Sequence, residues 1–170
     1  AFMLPLGLAS AATVRVGLHH GRGDRIGVGR AGFMAMMIAT AIAVCSALLF
    51  WTMPDRLIGL YLDRHNANAA AVLATARPFL FVAACFQIVD SLQAIGSGML
   101  RGLKDTRVPM MIALVSYWVI GMPAAYLLGF PAGFGGIGIW WGLALGLAAA
   151  AILMNRRFFY RERLGLLEQN

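Results

Sequence analysis

Residues 31–54, AGFMAMMIATAIAVCSALLFWTMP, run for 24 positions without a charged side chain. A helix needs about 20 predominantly apolar residues to cross a bilayer, so this stretch spans a membrane unaided. Two further stretches repeat the signature. Residues 78–100 hold one charge, Asp90, and residues 108–155 hold none over 48 positions, enough for two spans. The cluster Pro131-Ala132-Gly133-Phe134-Gly135-Gly136 divides the latter, because Pro and Gly at that density make a turn. Residues 1–14 read as a fifth, truncated span. The expected fold is all-α, a polytopic membrane helix bundle with five transmembrane helices of an incomplete six-helix lobe. Its spans fall at about 1–14, 31–54, 78–100, 108–130 and 136–155, followed by a tail at 156–170.

Composition excludes the main competitors. The chain is 61% hydrophobic and 12% charged, against about 25% charged in soluble domains. At 170 residues, a water-soluble globule could not hide that much apolar surface. A net charge of +7 invites a nucleic-acid partner, yet all 14 Lys and Arg lie outside the long apolar runs and flank the spans. The partner they indicate is the lipid bilayer, and no nucleic acid. Cys45 and Cys85 sit within apolar runs without a pairing pattern and read as small buried hydrophobes. Ala1-Phe2-Met3-Leu4-Pro5 has no basic segment before an apolar core, so it is not a signal peptide. It reads as the tail of a helix whose beginning is missing.

The connections set the topology. Arg15, Arg22, Arg25 and Arg30 precede the second span, Arg101, Lys104 and Arg107 the fourth, and Arg156, Arg157, Arg161 and Arg163 follow the fifth. These 11 charges alternate with 3 on the opposite side, Arg56, Arg64 and Arg77. The positive-inside rule makes the 11-charge side, and with it the C-terminus, cytoplasmic. Residue 1 then lies outside, which leads us to expect preceding helices in the same polypeptide.

Asp90 is the residue most open to a functional reading. It is thirteenth of the 23 residues from 78 to 100, near the bilayer midplane. A carboxylate there costs about 2.5–3.5 kcal/mol on insertion scales, so such residues face a bundle interior and mark ion or substrate pathways. At about 100° per residue, Gln87 and Gln93 fall roughly 60° to either side, and Ser97 almost beneath. Phe81, Cys85, Ile88, Leu92, Ile95 and Met99 take the opposite face. Desolvation disfavours the charged carboxylate, which favours uptake of a proton or retention of a cation such as Na⁺ or an organic amine. These occupants exclude one another. That exclusion is the physical basis of exchange.

Other residues give weaker signals. Pro78 and Pro109 mark helix starts, and Thr106 or Asp105 caps the helix containing Pro109. Pro123, after Gly121, predicts a kink inside a span. Gly138, Gly142 and Gly146 recur every four residues and admit a closely packed neighbour. Ser116, Tyr117 and Trp118 precede the Gly121–Pro123 segment, where an aromatic ring would hold a flat cation. Trp140 and Trp141 suit an interfacial anchor. His19, His20 and His65 fall in loops with no partner at ligand spacing, so no metal site is expected. Gly21-Arg22-Gly23 opens no phosphate loop. No nucleophile–base pair is present, which argues against an enzyme.

Together these residues resemble a known family. Pro5-Leu6-Gly7, Ala12-Thr13-Val14-Arg15-Val16-Gly17, Gly21, Gly23-Asp24 and Ala31-Gly32 are similar to the eighth helix and following loop of multidrug and toxic compound extrusion (MATE) transporters. Phe86-Gln87, Asp90, Gln93 and the run from Gly98 to Pro109 resemble the tenth helix and its turn. Ser116-Tyr117-Trp118, Gly121, Pro123 and Tyr126 resemble the eleventh. The resemblance implies twelve helices in two lobes, of which this chain supplies helices eight to twelve. It also implies export of cationic compounds against Na⁺ or H⁺. In the NorM-like branch an acid of the tenth helix helps bind the coupling cation, and Asp90 matches it. His19-His20 depart from the usual residues of that loop.

The expected function is therefore cation-coupled antiport, with efflux of organic cations and drugs across a bacterial inner (plasma) membrane. No cofactor is expected beyond the coupling ion. Asp90 is the coupling acid, Gln87 and Gln93 lie beside it, and Phe86, Ser97, Ser116, Tyr117 and Pro123 are candidate cavity residues. The alternatives are a lipid or polysaccharide flippase, which needs basic residues inside the bundle, and a scaffold subunit in which Asp90 is structural.

Overall fold

The computed structural model describes residues 3–60 and 69–167. The expected loop position of His65, with Asp63 and Arg64, lies outside them, as do the two ends of the chain. The described residues are almost wholly helical and contain no strand. In order they form α1 (Met3–Gly21), α2 (Arg25–Thr52), the short α3 (Pro54–Gly59), α4 (Ala69–Gly102), α5 (Arg107–Val115), a π-helical segment (Ser116–Gly121), α6 (Met122–Gly129) and α7 (Gly135–Phe159). The segments from Arg107 to Gly129 make one rod of 23 residues. That rod, α2, α4 and α7 are each long and apolar enough to cross a membrane. The polytopic membrane bundle expected from the sequence is what forms.

Several helix ends differ from expectation. α1 does not stop near residue 14 but runs to Gly21, so His19 and His20 are helical. Val16 and His20 lie on its buried side, which carries the pattern past Arg15. The connection to α2 shrinks to Arg22–Asp24, with Gly23 in the left-handed region at φ 70°. Asp24 caps α2, its carboxylate accepting from the Gly27 amide at 2.8 Å and meeting His19 Nδ1 at 2.9 Å.

Those two contacts, the Gly27 amide first, hold the Asp24 carboxyl below its ordinary value of 3.8. A carboxyl lowered in the fold stabilises it above the unfolded value, and that contribution vanishes as pH falls through the folded value. The start of α2 is therefore expected to loosen below about pH 4. Hydrogen exchange of a peptide containing Gly27 measures this. Asp24→Ala should remove the acid-dependent step and leave that peptide poorly protected at neutral pH.

Pro78 does not begin a helix either. α4 starts at Ala69 and carries Pro78 internally. Five of residues 69–77 are alanine, the strongest helix former, and one missing N–H is tolerable in a membrane helix. The longer α4 also takes in Arg77, which pairs with Asp55 at 2.6 and 2.8 Å, both side chains being exposed.

Thr106 occupies the cap position of α5 without a capping side-chain bond. Asp105 instead accepts from Arg157 Nε at 2.6 Å and is largely buried. The turn before α5 puts Lys104 at φ 60°. Near Pro123 the irregularity takes the form of the π-helical segment, where the Met122 N–H donates to the Tyr117 carbonyl five residues back. The wider register absorbs the donor that Pro123 lacks.

Small residues govern the packing, as membrane interiors require. The core joins Ala9, Ala12 and Val16 of α1, Ala35 and Ala39 of α2, and Ile95, Met99 and Leu100 of α4. Ala150, Met154 and Phe158 of α7 complete it. A Cβ on Gly98 would lie 2.5 Å from the Ala9 carbonyl oxygen, so α1 and α4 meet backbone to backbone. Thr13 Oγ1 adds a bond to the Gly98 carbonyl at 2.9 Å. The glycine stripe of α7 works in the same way against α6 and the π segment. A Cβ on Gly142 would sit 2.1 Å from the Ala125 nitrogen.

These contacts gather the basic segments at one end of the bundle. Arg157 ties the end of α7 to the α4–α5 turn, and Leu167 of the tail packs into the core beside His20 and Val28. α3 and the Asp55–Arg77 pair lie on the opposite connection.

Candidate functional site

α4 is 34 residues long, about 51 Å at 1.5 Å per residue, so it overshoots the roughly 30 Å apolar core of a bilayer. Asp90 lies 13 residues after Arg77 and 11 before Arg101, which keeps it mid-membrane despite the earlier helix start. Its side chain is half-buried, and no basic side chain among the described residues pairs with it.

The two faces of α4 differ. Ile95 and Met99 are fully buried in the core, while Gln87, Asp90, Gln93 and Ser97 are each partly exposed. Tyr117, from the π segment, comes within electrostatic reach of Asp90 and is itself 37% exposed.

The other predicted residues are distributed unevenly. Gln87 keeps a buried Nε2 without a partner, and its carbonyl accepts from Ser91 Oγ at 2.8 Å. Gln93 turns toward α7, its Nε2 lying 3.8 Å from Met154 Sδ. Phe86 packs edge-on against Trp140 with centroids 5.6 Å apart, which seats it between α4 and α7. Ser116 is fully buried, and its carbonyl oxygen is 2.8 Å from where a Cβ on Gly146 would stand. It belongs to the packed seam with α7, and its Oγ is buried without a hydrogen-bond partner. Pro123 is exposed. Asp90, Gln87 and Ser97, on the partly exposed face of α4, and Tyr117 of the π segment remain the candidate group.

Asn155 escaped the sequence reading. Its Nδ2 donates to the Leu92 carbonyl at 2.9 Å and to the Ala151 carbonyl at 2.8 Å, and its Oδ1 is buried without a partner. It brings a polar group from α7 onto α4 beside Gln93. The available signal was a lone amide closing an uncharged run of 48 residues.

Among the described residues no three His, Cys, Asp or Glu converge as a metal cluster. A cavity of about 690 Å³ opens between α1 and α2, lined by Arg15, His19, Asp24 and Arg30 and by apolar residues such as Ala12 and Met34. It is separate from Asp90.

The MatE family profile matches residues 1–127, three-quarters of the chain and all of α1 to α5. The chain belongs to the MatE family. A probable multidrug resistance protein NorM of Rhizobium meliloti (strain 1021) is 52% identical over 159 residues, covering 94% of this chain and 34% of the relative. This MatE chain thus spans about a third of the length of the curated relatives it matches. Among solved structures, the eukaryotic MATE transporter AtDTX14 superimposes with a TM-score of 0.77 at 25% identity, covering 96% of this chain and 38% of that one. An inward-facing multidrug resistance MATE transporter shares the fold, with a TM-score of 0.80 at 20% identity over 98% of this chain and 38% of the other. These relatives are named as transporters or resistance proteins. The MatE chain is an integral membrane protein of a transporter family, not an enzyme.

Proposed function

We propose that this chain is the C-terminal part of a cation-coupled exporter of organic cations. It works with preceding helices of the same polypeptide, in a bacterial inner membrane with its C-terminus in the cytoplasm. The observation that carries the reading is an acid at mid-membrane, half-buried on a polar stripe of α4 and without an ion-pair partner among the described residues. An acid kept only for structure would be expected to have a buried donor or counter-ion, and Asp90 has neither among the described residues.

The chemistry is mutual exclusion. When ionised, the carboxylate attracts Na⁺ or an organic ammonium, with the Tyr117 ring adding cation–π attraction for a flat cation. A proton or Na⁺ arriving down its gradient neutralises the site and releases the organic cation. Gln87 and Ser97 supply neutral oxygens alongside, which suits a hard cation. The orientation follows from the 11-to-3 basic asymmetry and the gathering of the basic segments at one end.

Flippase activity on anionic lipid carriers is disfavoured. Arg77, the basic residue the longer α4 takes in, is exposed and bound to Asp55. The test is transport by the full polypeptide carrying this chain, reconstituted in liposomes with a fluorescent organic cation inside. An inward Na⁺ or H⁺ gradient should accelerate its exit, and dissipating the gradient should stop it. Exit indifferent to both gradients would refute the coupling.

A further inference from the structure

We propose that the groove between α5, the end of α7 and the tail binds the phosphate of an anionic glycerophospholipid from the surrounding bilayer. The groove encloses about 550 Å³. Val108, Ile112 and Leu153 form its apolar wall, and Arg156, Tyr160 and Arg163 stand at its polar end.

The charges there are arranged for an anion. Arg157, which also lines the groove, is neutralised by Asp105 at 2.6 Å. Arg156 and Arg163 meet no carboxylate among the described residues. Both guanidinium carbons instead lie by the Tyr160 ring, 5.7 and 5.6 Å from its centroid. Two guanidinium groups without a carboxylate partner among the described residues thus adjoin one ring and line one groove. Guanidinium presents paired N–H donors that match the oxygens of a phosphodiester.

The position selects a lipid over a soluble anion. Leu153 is one turn before Arg156, inside the membrane-crossing span Gly135–Phe159, and Tyr160 immediately follows that span. The groove thus crosses the boundary between acyl chains and headgroups, where Tyr is favoured. Basic pockets between membrane helices at that depth hold anionic headgroups. Acyl carbons would lie along Val108, Ile112 and Leu153 while the phosphate meets Arg156 and Arg163. Neither Asp90 nor the direction of transport enters this argument, so it stands or falls separately.

The experiment is native mass spectrometry of the full polypeptide in detergent, titrated with phosphatidylglycerol, phosphatidylcholine or inorganic phosphate. Phosphatidylglycerol should be retained preferentially. Arg156→Gln with Arg163→Gln should weaken its retention at least about ten-fold, and Arg22→Gln with Arg25→Gln should not. Leu153→Trp keeps both arginines but fills the apolar wall. It should also weaken retention, and it decides the matter if the double variant misfolds. Equal retention of both lipids, an equal loss in the Arg22/Arg25 pair, or displacement of the lipid by inorganic phosphate would overturn the proposal.

Discussion

Asp90→Asn is expected to abolish gradient-driven efflux, by more than about ten-fold, while leaving expression and helix content unchanged. Asparagine keeps the size and one carbonyl oxygen of the acid but can neither bear the charge nor exchange the proton. Organic cation and coupling ion then have nothing to compete for. The stability response separates this role from a structural one. An acid at mid-membrane costs about 2.5–3.5 kcal/mol on insertion scales, and Asp90 recovers none of it through an ion pair among the described residues. The amide should therefore unfold at the same temperature as the parent, or a higher one. A marked fall in melting temperature with transport intact would make Asp90 a structural residue.

Gly142→Leu should break the bundle instead. A Cβ at this position would stand 2.1 Å from the nitrogen and 2.2 Å from the Cα of Ala125. Both obstacles are backbone, so no rotamer change clears them, and α7 must withdraw from α6. Overpacking typically costs 1–3 kcal/mol and sometimes more. Here the displaced element is a whole helix, so a loss of about 3 kcal/mol or more is expected. Thermal unfolding in detergent measures it, with Gly21→Ala as the control, since a Cβ on Gly21 meets nothing within 4 Å. Equal melting of the two variants would mean that the α6–α7 seam is looser than it looks.

How much of this the sequence disclosed depends on the range of the interaction. Spans are a matter of local composition, and the uncharged runs at 31–54 and 108–155 located α2, the rod from Arg107 to Gly129, and α7. The four-residue glycine spacing on α7 also pointed correctly to a close neighbour, because a helix face is a local property. Helix ends were less legible. Pro78 reads as a start only until the alanine-rich segment before it is weighed, and α1 runs past Arg15 because its buried side continues to Val16 and His20.

Pairings over long separations left little trace. Asp105 resembled a cap, yet its partner is Arg157, 52 residues away. Asn155 bonds to Leu92 across 63 residues, and nothing near either one announces it. The candidate site was legible in part for the same reason. The polar stripe of α4 follows from helical periodicity alone, whereas Ser116 sealed against Gly146 depends on how separate helices meet.

The central claim is that water and ions reach position 90 from within the protein. It is tested by cysteine accessibility in the full polypeptide with Cys45, Cys85 and any other cysteine removed. Asp90→Cys is exposed to a charged, water-soluble thiol reagent, alongside Val119→Cys, an apolar position 65% exposed on the rod from Arg107 to Gly129. Position 90 is expected to react, an organic cation substrate to slow the reaction, and position 119, within an apolar span, to stay unmodified. A cysteine at 90 as inert as the one at 119 would contradict it.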